Sequence, residues 1–281
     1  MKTLAFVNQK GGCGKTTTAV NLAGALARRG ERVLLVDLDP QAHATMALSI
    51  AVEEHEPALA DALLHGVPLS AVVRQAPGGI ALLPGTLALS ELEEQAGRTL
   101  HPERILREAL EEVRDDFDWA LVDCPPRADG VLTANALRAA DVVVLVVELG
   151  AFALQGALKA LAILRELALE TQAPFELRVV GTLYDARMRL ARELLVGVQA
   201  RFAGRLFDTV IRHSVRLREA AACGLPVQLL DPHGRAAANF DCLAAEVQAL
   251  RLTTAVRSGT RPRSPAARPG SFAGSQLQTT R

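Results

Sequence analysis

Aromatic residues are scarce in this 281-residue chain: eight Phe, one Tyr and one Trp, 4% of the whole. A hydrophobic core must therefore be filled by Leu, Val and Ala, and with 49% apolar residues there is material for a substantial one. Net charge is missing too, because 31 Lys and Arg balance 31 Asp and Glu. That balance excludes a chain drawn to nucleic acid by bulk electrostatics alone. The four cysteines, at 13, 124, 223 and 242, show neither CxxC spacing nor a paired histidine pattern. Neither a zinc site nor a disulfide framework is indicated, and a reducing cytoplasm fits. Long apolar runs are absent as well; 142–147 is among the longest, far short of the roughly 20 residues of a membrane-spanning helix. The first residues enter an apolar run directly, without a signal-peptide pattern.

The charge that exists is unevenly spread. Residues 251–281 hold six arginines (251, 257, 261, 263, 268 and 281) and no acid, which leaves about −6 for residues 1–250. From about residue 253 the composition shifts to Ser, Thr, Pro, Gly and Arg, too poor in apolar surface to offset its ordering entropy. The expected organisation is one domain over 1–252 and a basic, disordered tail over 253–281. Such a tail is either a solvated appendage or a source of non-specific phosphate contacts.

What is present in strength is a loop. Residues 8–18 read Asn-Gln-Lys-Gly-Gly-Cys-Gly-Lys-Thr-Thr-Thr, directly after the apolar run Leu4-Ala5-Phe6-Val7. The ordinary phosphate-binding loop asks for glycine at position 9, where Gln9 stands. What survives is Lys-Gly-Gly-Cys-Gly-Lys-Thr-Thr, with Lys10 ahead of the usual Lys15. One lysine then serves the local nucleotide and the other is free to reach elsewhere, which points to a nucleotide-switched dimer. Gly11, Gly12 and Gly14 let backbone N–H groups, that of Cys13 among them, turn toward an anion. A helix expected over 15–29 adds the partial positive charge of its N-terminus. Lys15 is placed to lie along the β- and γ-phosphates, Thr16 to ligate Mg²⁺ and Thr17 to bond the α-phosphate.

Two more segments carry carboxylates at strand ends, where open α/β sheets bind ligands. The run 32–36 ends in Asp37-Leu38-Asp39, and the run 119–122 ends in Asp123, followed by Cys124-Pro125-Pro126. Asp37 is a candidate to hold Mg²⁺ through water, Asp39 to orient or deprotonate an attacking water, and Asp123 to reach the Mg²⁺ shell. The competing assignment is that Asp37 or Asp39 caps the helix that follows.

On these segments the chain resembles the ParA/MinD family of deviant Walker A P-loop ATPases, and most of all short ParA-type (Soj-like) partitioning ATPases. The matching stretches are 8–21, 32–41, 121–126 and 135–147, with a weaker match over 181–187 and 209–224. The resemblance implies ATP and Mg²⁺ as ligands, with Lys15 and Thr16 the phosphate and Mg²⁺ residues. It makes Lys10 the lysine that crosses a dimer interface to the partner's nucleotide, Asp39 the catalytic aspartate and Asp123 the Walker B aspartate. It implies a homodimer with two ATP molecules sandwiched between subunits. That dimer would bind non-specific DNA on the nucleoid and be released when a ParB-like or other cargo adaptor stimulates a slow ATPase. Arg212, Arg216, Arg218 and Arg235 fall where relatives carry basic DNA-contact residues. The chain departs from the family where Ile-Pro-Arg-Asn is usual and Ile211-Arg212-His213-Ser214 stands.

Two alternatives compete. A MinD-like membrane ATPase requires a C-terminal amphipathic helix, and residues 253–281 are Pro-interrupted with almost no large apolar residues. A non-hydrolysing, nucleotide-dependent regulator would bind ATP without turnover. For the fold, apolar strands are expected at 3–7, 32–36, 80–83, 119–122, 141–147, 177–183, 207–211 and 227–230. With helical patterns between most of them, they predict an α/β domain with a mostly parallel twisted sheet and helices on both faces.

Overall fold

Strands that are apolar at every position, rather than at alternate ones, belong in a sheet covered on both faces. The computed structural model describes residues 1–250 apart from 99, 128, 173 and 174. Its seven strands are β1 (Lys2–Val7), β2 (Val33–Asp37), β3 (Arg74–Ala76), β4 (Ile80–Leu83), β5 (Trp119–Asp123), β6 (Val142–Glu148) and β7 (Glu176–Thr182). They lie in the order β3-β4-β2-β5-β1-β6-β7, parallel except for the β3–β4 pair. All residues of β2 and β5 are buried. Ala5 and Val7 of β1 join one core cluster with Leu106, Leu132 and Leu161. Leu4 and Phe6, pointing the other way by strand alternation, are equally inaccessible. The two helical layers are built accordingly. Lys15–Arg28 packs with Arg235–Ala249, whereas Val131–Ala139 packs with Ile105–Glu112 and Ala153–Glu170.

Parallel register positions the site. Asp37 at the end of β2 pairs with Asp123 at the end of β5, and Asp123 pairs in turn with Phe6 of β1, one residue before the loop strand ends. Both carboxylates and the glycine loop therefore emerge side by side at the C-terminal edge of the sheet.

Three details differ from expectation. The segment 51–76 has no strong strand pattern, yet it ends in β3, which is short and polar and so leaves no apolar run. Gly78 (φ 83°) and Gly79 (φ 74°) supply the two left-handed residues that turn β3 back into β4. No strand forms over 207–211. The amides of Phe207 and Ile211 do bond to β7 (Val179 and Gly181 carbonyls), but those of Asp208 and Thr209 donate to the Glu246 carboxylate at 2.7 and 2.9 Å, which breaks the ladder. Val227–Leu230 is a helical turn, not a strand. Pro226 opens it, the Asn21 side chain accepts the Val227 amide at 2.7 Å, and Gln228 donates to the Asn21 carbonyl. Four apolar residues have no periodicity with which to distinguish the two outcomes. Among the described residues, no helix is long and apolar enough to cross a membrane. The tail expected over 253–281 lies outside the described residues.

Removing the Glu246 acceptor should leave two amides without protein partners. Glu246→Ala is expected to cost about 1–2 kcal/mol in urea unfolding, while Glu246→Gln, which keeps one acceptor oxygen, should cost less. Equal stability of Glu246→Ala and wild type would refute this role.

Candidate nucleotide site

The loop is anchored at both ends to neighbouring strands. At its entrance the Asn8 side chain donates to the Val146 carbonyl of β6 at 2.6 Å and accepts the Lys10 amide at 3.1 Å. At its exit the Thr182 hydroxyl of β7 donates to the Cys13 carbonyl at 2.6 Å. Between these anchors Gly12 (φ 73°) and Gly14 (φ 93°) take left-handed conformations that a side chain would strain. A Cβ on Gly11 or Gly12 would meet nothing within 4 Å, so the cradle faces open space. Lys15–Arg28 starts at once after Gly14, and the Thr18 amide and hydroxyl both return to the Gly14 carbonyl.

The two lysines of this loop differ in burial. Lys15 is buried, 7% exposed. Lys10 is exposed, and its Nζ pairs with the carboxylate of Glu148 at the end of β6. Cys13 is fully buried and burial pushes its thiol pKa up, so it contributes backbone rather than a reactive thiolate.

Asp37 and Asp123 are both fully inaccessible to solvent. Asp37 is well satisfied: its Oδ2 accepts the Thr45 amide at 2.7 Å and hydroxyl at 2.6 Å, and its Oδ1 takes a longer bond from the Asp39 amide. It thus takes up an amide in the first turn of the short helix His43–Ala47, whose N-cap residue is Ala42. Thr45 Oγ1 also accepts the Gly85 amide at 3.0 Å. Gly85 is required by space: a Cβ there would lie 2.7 Å from the Asp37 carbonyl oxygen and 2.9 Å from its Cγ. Asp39 is nearly buried, and its Oδ1 accepts the Gln41 amide at 2.9 Å, which fixes the carboxylate.

Asp123 is different. Neither of its oxygens completes a hydrogen bond. Thr16 faces it closely enough to favour its charged form without reaching hydrogen-bond geometry. Burial, then repulsion from Asp37, hold the Asp123 pKa well above the usual carboxylate range, and Asp37 is raised mainly by burial. A buried carboxylate with two orphan oxygens, next to a second carboxylate and a hydroxyl, is a hard-oxygen set that suits Mg²⁺. The residues present therefore fit that ion.

Thr16, Thr17, Asn21, His43, Leu217 and Leu225 line a cavity of about 180 Å³ beside the loop. It is smaller than ordinary ligand pockets. A larger groove of about 870 Å³, between Leu161, Phe175, Arg178 and Arg205 beside β7, shares no residue with the loop or the carboxylates. The four arginines expected at DNA are all exposed. Arg216 is already paired with Glu219 at 2.7 Å, and Arg218 contacts the His213 ring. Arg212 lies between the helices Arg189–Arg201 and Val215–Ala222, and Arg235 begins the helix Arg235–Ala249.

Sequence reasoning did not single out Asn8, Thr45, Gly85, Glu148 or Thr182. Glu148 carried a usable signal, since it ends an apolar strand as Asp37 and Asp123 do. Asn8, Thr45 and Thr182 carried none, because each acts through a partner distant in sequence.

Comparisons with known proteins agree with this geometry. A family profile described as an AAA domain matches residues 1–177. The chain is 39% identical over 251 residues to the sporulation initiation inhibitor protein Soj of Bacillus subtilis, covering 88% of this chain and 98% of that protein. It is 41% identical over 256 residues to the chromosome-partitioning ATPase Soj of Thermus thermophilus, covering 89% and 96%. Cobyrinic acid a,c-diamide synthase from Mycobacterium smegmatis, crystallised with ADP and magnesium, superposes with a TM-score of 0.77 at 30% identity, covering 88% and 94%.

Two predictions arise at the carboxylates. Gly85→Ala should force Asp37 to move, costing about 1–3 kcal/mol of stability and weakening Mg²⁺-dependent nucleotide binding; calorimetric titration and thermal unfolding read both. The second concerns pH. A carboxyl that holds its proton more tightly folded than unfolded contributes stability at acid pH and loses it as pH rises through the folded pKa. The nucleotide-free protein should therefore melt at a lower temperature at about pH 9 than at about pH 5. Asp123→Asn should flatten that profile and raise Tm at the alkaline end. A Tm that climbs with pH, or a variant with the wild-type profile, would contradict the assignment.

Proposed function

The chain belongs to the ParA/MinD family of P-loop ATPases, and from that premise we propose that it is a DNA-partitioning ATPase that pairs on ATP, binds DNA as the pair and lets go on hydrolysis. The observation that carries this reading is the division of two lysines by one anchored loop, Lys15 within and Lys10 without. ATP is the substrate and Mg²⁺ the cofactor.

The chain's own residues divide the work. Backbone N–H groups of 11–14 and the N-terminus of Lys15–Arg28 receive the phosphates, and Lys15 neutralises their charge where water is excluded. Asp123 and the Thr16 hydroxyl would hold Mg²⁺, with Asp37 acting through water because Thr45 occupies it. When bound, that ion neutralises charge on the β- and γ-phosphate oxygens. Asp39, fixed by the Gln41 amide, orients the attacking water. Lys10 leaves its own subunit and completes the phosphate site of the second. With so few protein donors committed before pairing, unstimulated turnover is slow. An adaptor of the ParB kind raises it.

DNA contact is assigned to Arg212, Arg216, Arg218 and Arg235, which would bind phosphate without reading bases. Residues 1–250 carry about −6, so binding depends on this local patch, with the arginines of 251–281 as a further source. The pair would ride on the nucleoid in the cytoplasm.

Two measurements test the reading. Lys15→Ala should abolish binding of a fluorescent ATP analogue; retained affinity would overturn the loop assignment. In a gel-shift series with non-specific duplex DNA, the shift should need ATP, fail with ADP, and weaken steeply with salt. Replacing Arg212 and Arg235 with Ala should lower the salt slope by about 1 for each arginine that neutralises a phosphate. A shift equally strong with ADP would sink the switch.

A further inference from the structure

Lys10 is held twice to the same strand. Its amide is bound by Asn8, whose side chain is fixed to Val146 of β6, and its ammonium pairs with Glu148 two residues further on. The acidic partner sits at a tight turn. Gly150 turns directly beneath it: the Gly150 amide bonds to the Glu148 carbonyl at 3.0 Å, and a Cβ at 150 would approach Glu148 Oε1 to 3.2 Å. The Glu148 side chain is 27% exposed against 56% for Lys10, so the lysine is the member of the pair that solvent and an approaching ligand reach more readily. Its charge also reaches the loop interior, where it acts on the Cys13 thiol against Lys15.

From this geometry we infer that Glu148 is a counter-ion that positions Lys10 within its own subunit and opposes ATP-driven pairing with a second copy of this chain. The inference rests on the paired-subunit reading above and adds a regulator of it. To reach a phosphate of the opposite subunit, the Lys10 ammonium has to leave Glu148, which stays behind at the end of its own β6. When Lys10 leaves, Glu148 becomes an unpaired anion beside a site that must accept a triphosphate, a repulsion on top of the broken pair. An ion pair this exposed is worth at most about five-fold in an equilibrium. A two-fold dimer breaks two such pairs, so the threshold for pairing rises by up to about 25-fold. Glu148 thus keeps the free subunit monomeric at low ATP and makes pairing sensitive to ionic strength. It is a positioning residue, acting through Lys10.

The test is sedimentation velocity with Mg²⁺ and a non-hydrolysable ATP analogue at low and high salt, on wild type, Glu148→Gln, Lys10→Ala and the double variant. Glu148→Gln should tighten the dimer dissociation constant by about 2- to 25-fold at low salt, with the gain shrinking at high salt. In the Lys10→Ala background the same substitution should gain clearly less, because only the repulsion of the lone carboxylate, and no ion pair, remains to be removed. A Glu148→Gln protein that pairs no better than wild type, or one that gains equally without Lys10, would overturn the inference. If instead Lys10→Ala pairs as tightly as wild type, the paired-subunit reading itself fails and the inference goes with it.

Discussion

The structure of this site depends on one short loop tied to strands on either side of its entrance and exit. Asn8 grips β6 and Thr182 of β7 grips the Cys13 carbonyl. Between those ties, glycines in left-handed conformations reverse the chain. The consequence is a sorting of two identical charges. Lys15 is turned into the protein with 7% exposure, while Lys10 is left outside, in reach of whatever approaches the C-terminal edge of the sheet. Without the ties, a loop this rich in glycine would have too much conformational freedom to keep the two apart.

The second constraint is parallel register, which sets Asp37 against Asp123 where neither meets water. Two buried carboxylates are expensive unless something cationic joins them. The protein relieves one of the two from within, through Thr45 and the tight approach of Gly85. The other is left with no hydrogen bond at all. That asymmetry separates the pair: Asp37 organises the segment that leads to Asp39, and Asp123 keeps both oxygens uncommitted, as the proposed Mg²⁺ role requires.

The fold was legible wherever burial leaves an apolar run. The strands β1, β2, β4, β5 and β6 carry such runs, and the loop and its helix follow from glycine, lysine and a 3.6-residue apolar period. It was not legible where the outcome is decided by a remote side chain. Glu246, about 40 residues downstream, withdraws two amides from an otherwise plausible strand at 207–211. Asn21, about 200 residues upstream, winds Val227–Leu230 into a helical turn. The candidate site divides in the same way. Residues that face the ligand are spelled out in contiguous motifs. Those that hold them in place (Asn8, Thr45, Gly85, Thr182) come from separate strands, helices and loops, and only the folded chain brings them together.

The central claim is that Lys15 serves its own subunit's nucleotide and Lys10 serves its neighbour's. Mixing two variants, each inactive alone, tests it most directly. Lys10→Ala retains a nucleotide but lacks the crossing lysine, and Lys15→Ala lacks a nucleotide but still offers Lys10. If the lysines act in different subunits, the mixture holds one complete composite site per heterodimer, and ATPase activity should reappear on mixing and rise with total protein concentration. If the mixture stays as inactive as its components at concentrations where wild type is fully active, Lys10 works in its own subunit and the account is wrong.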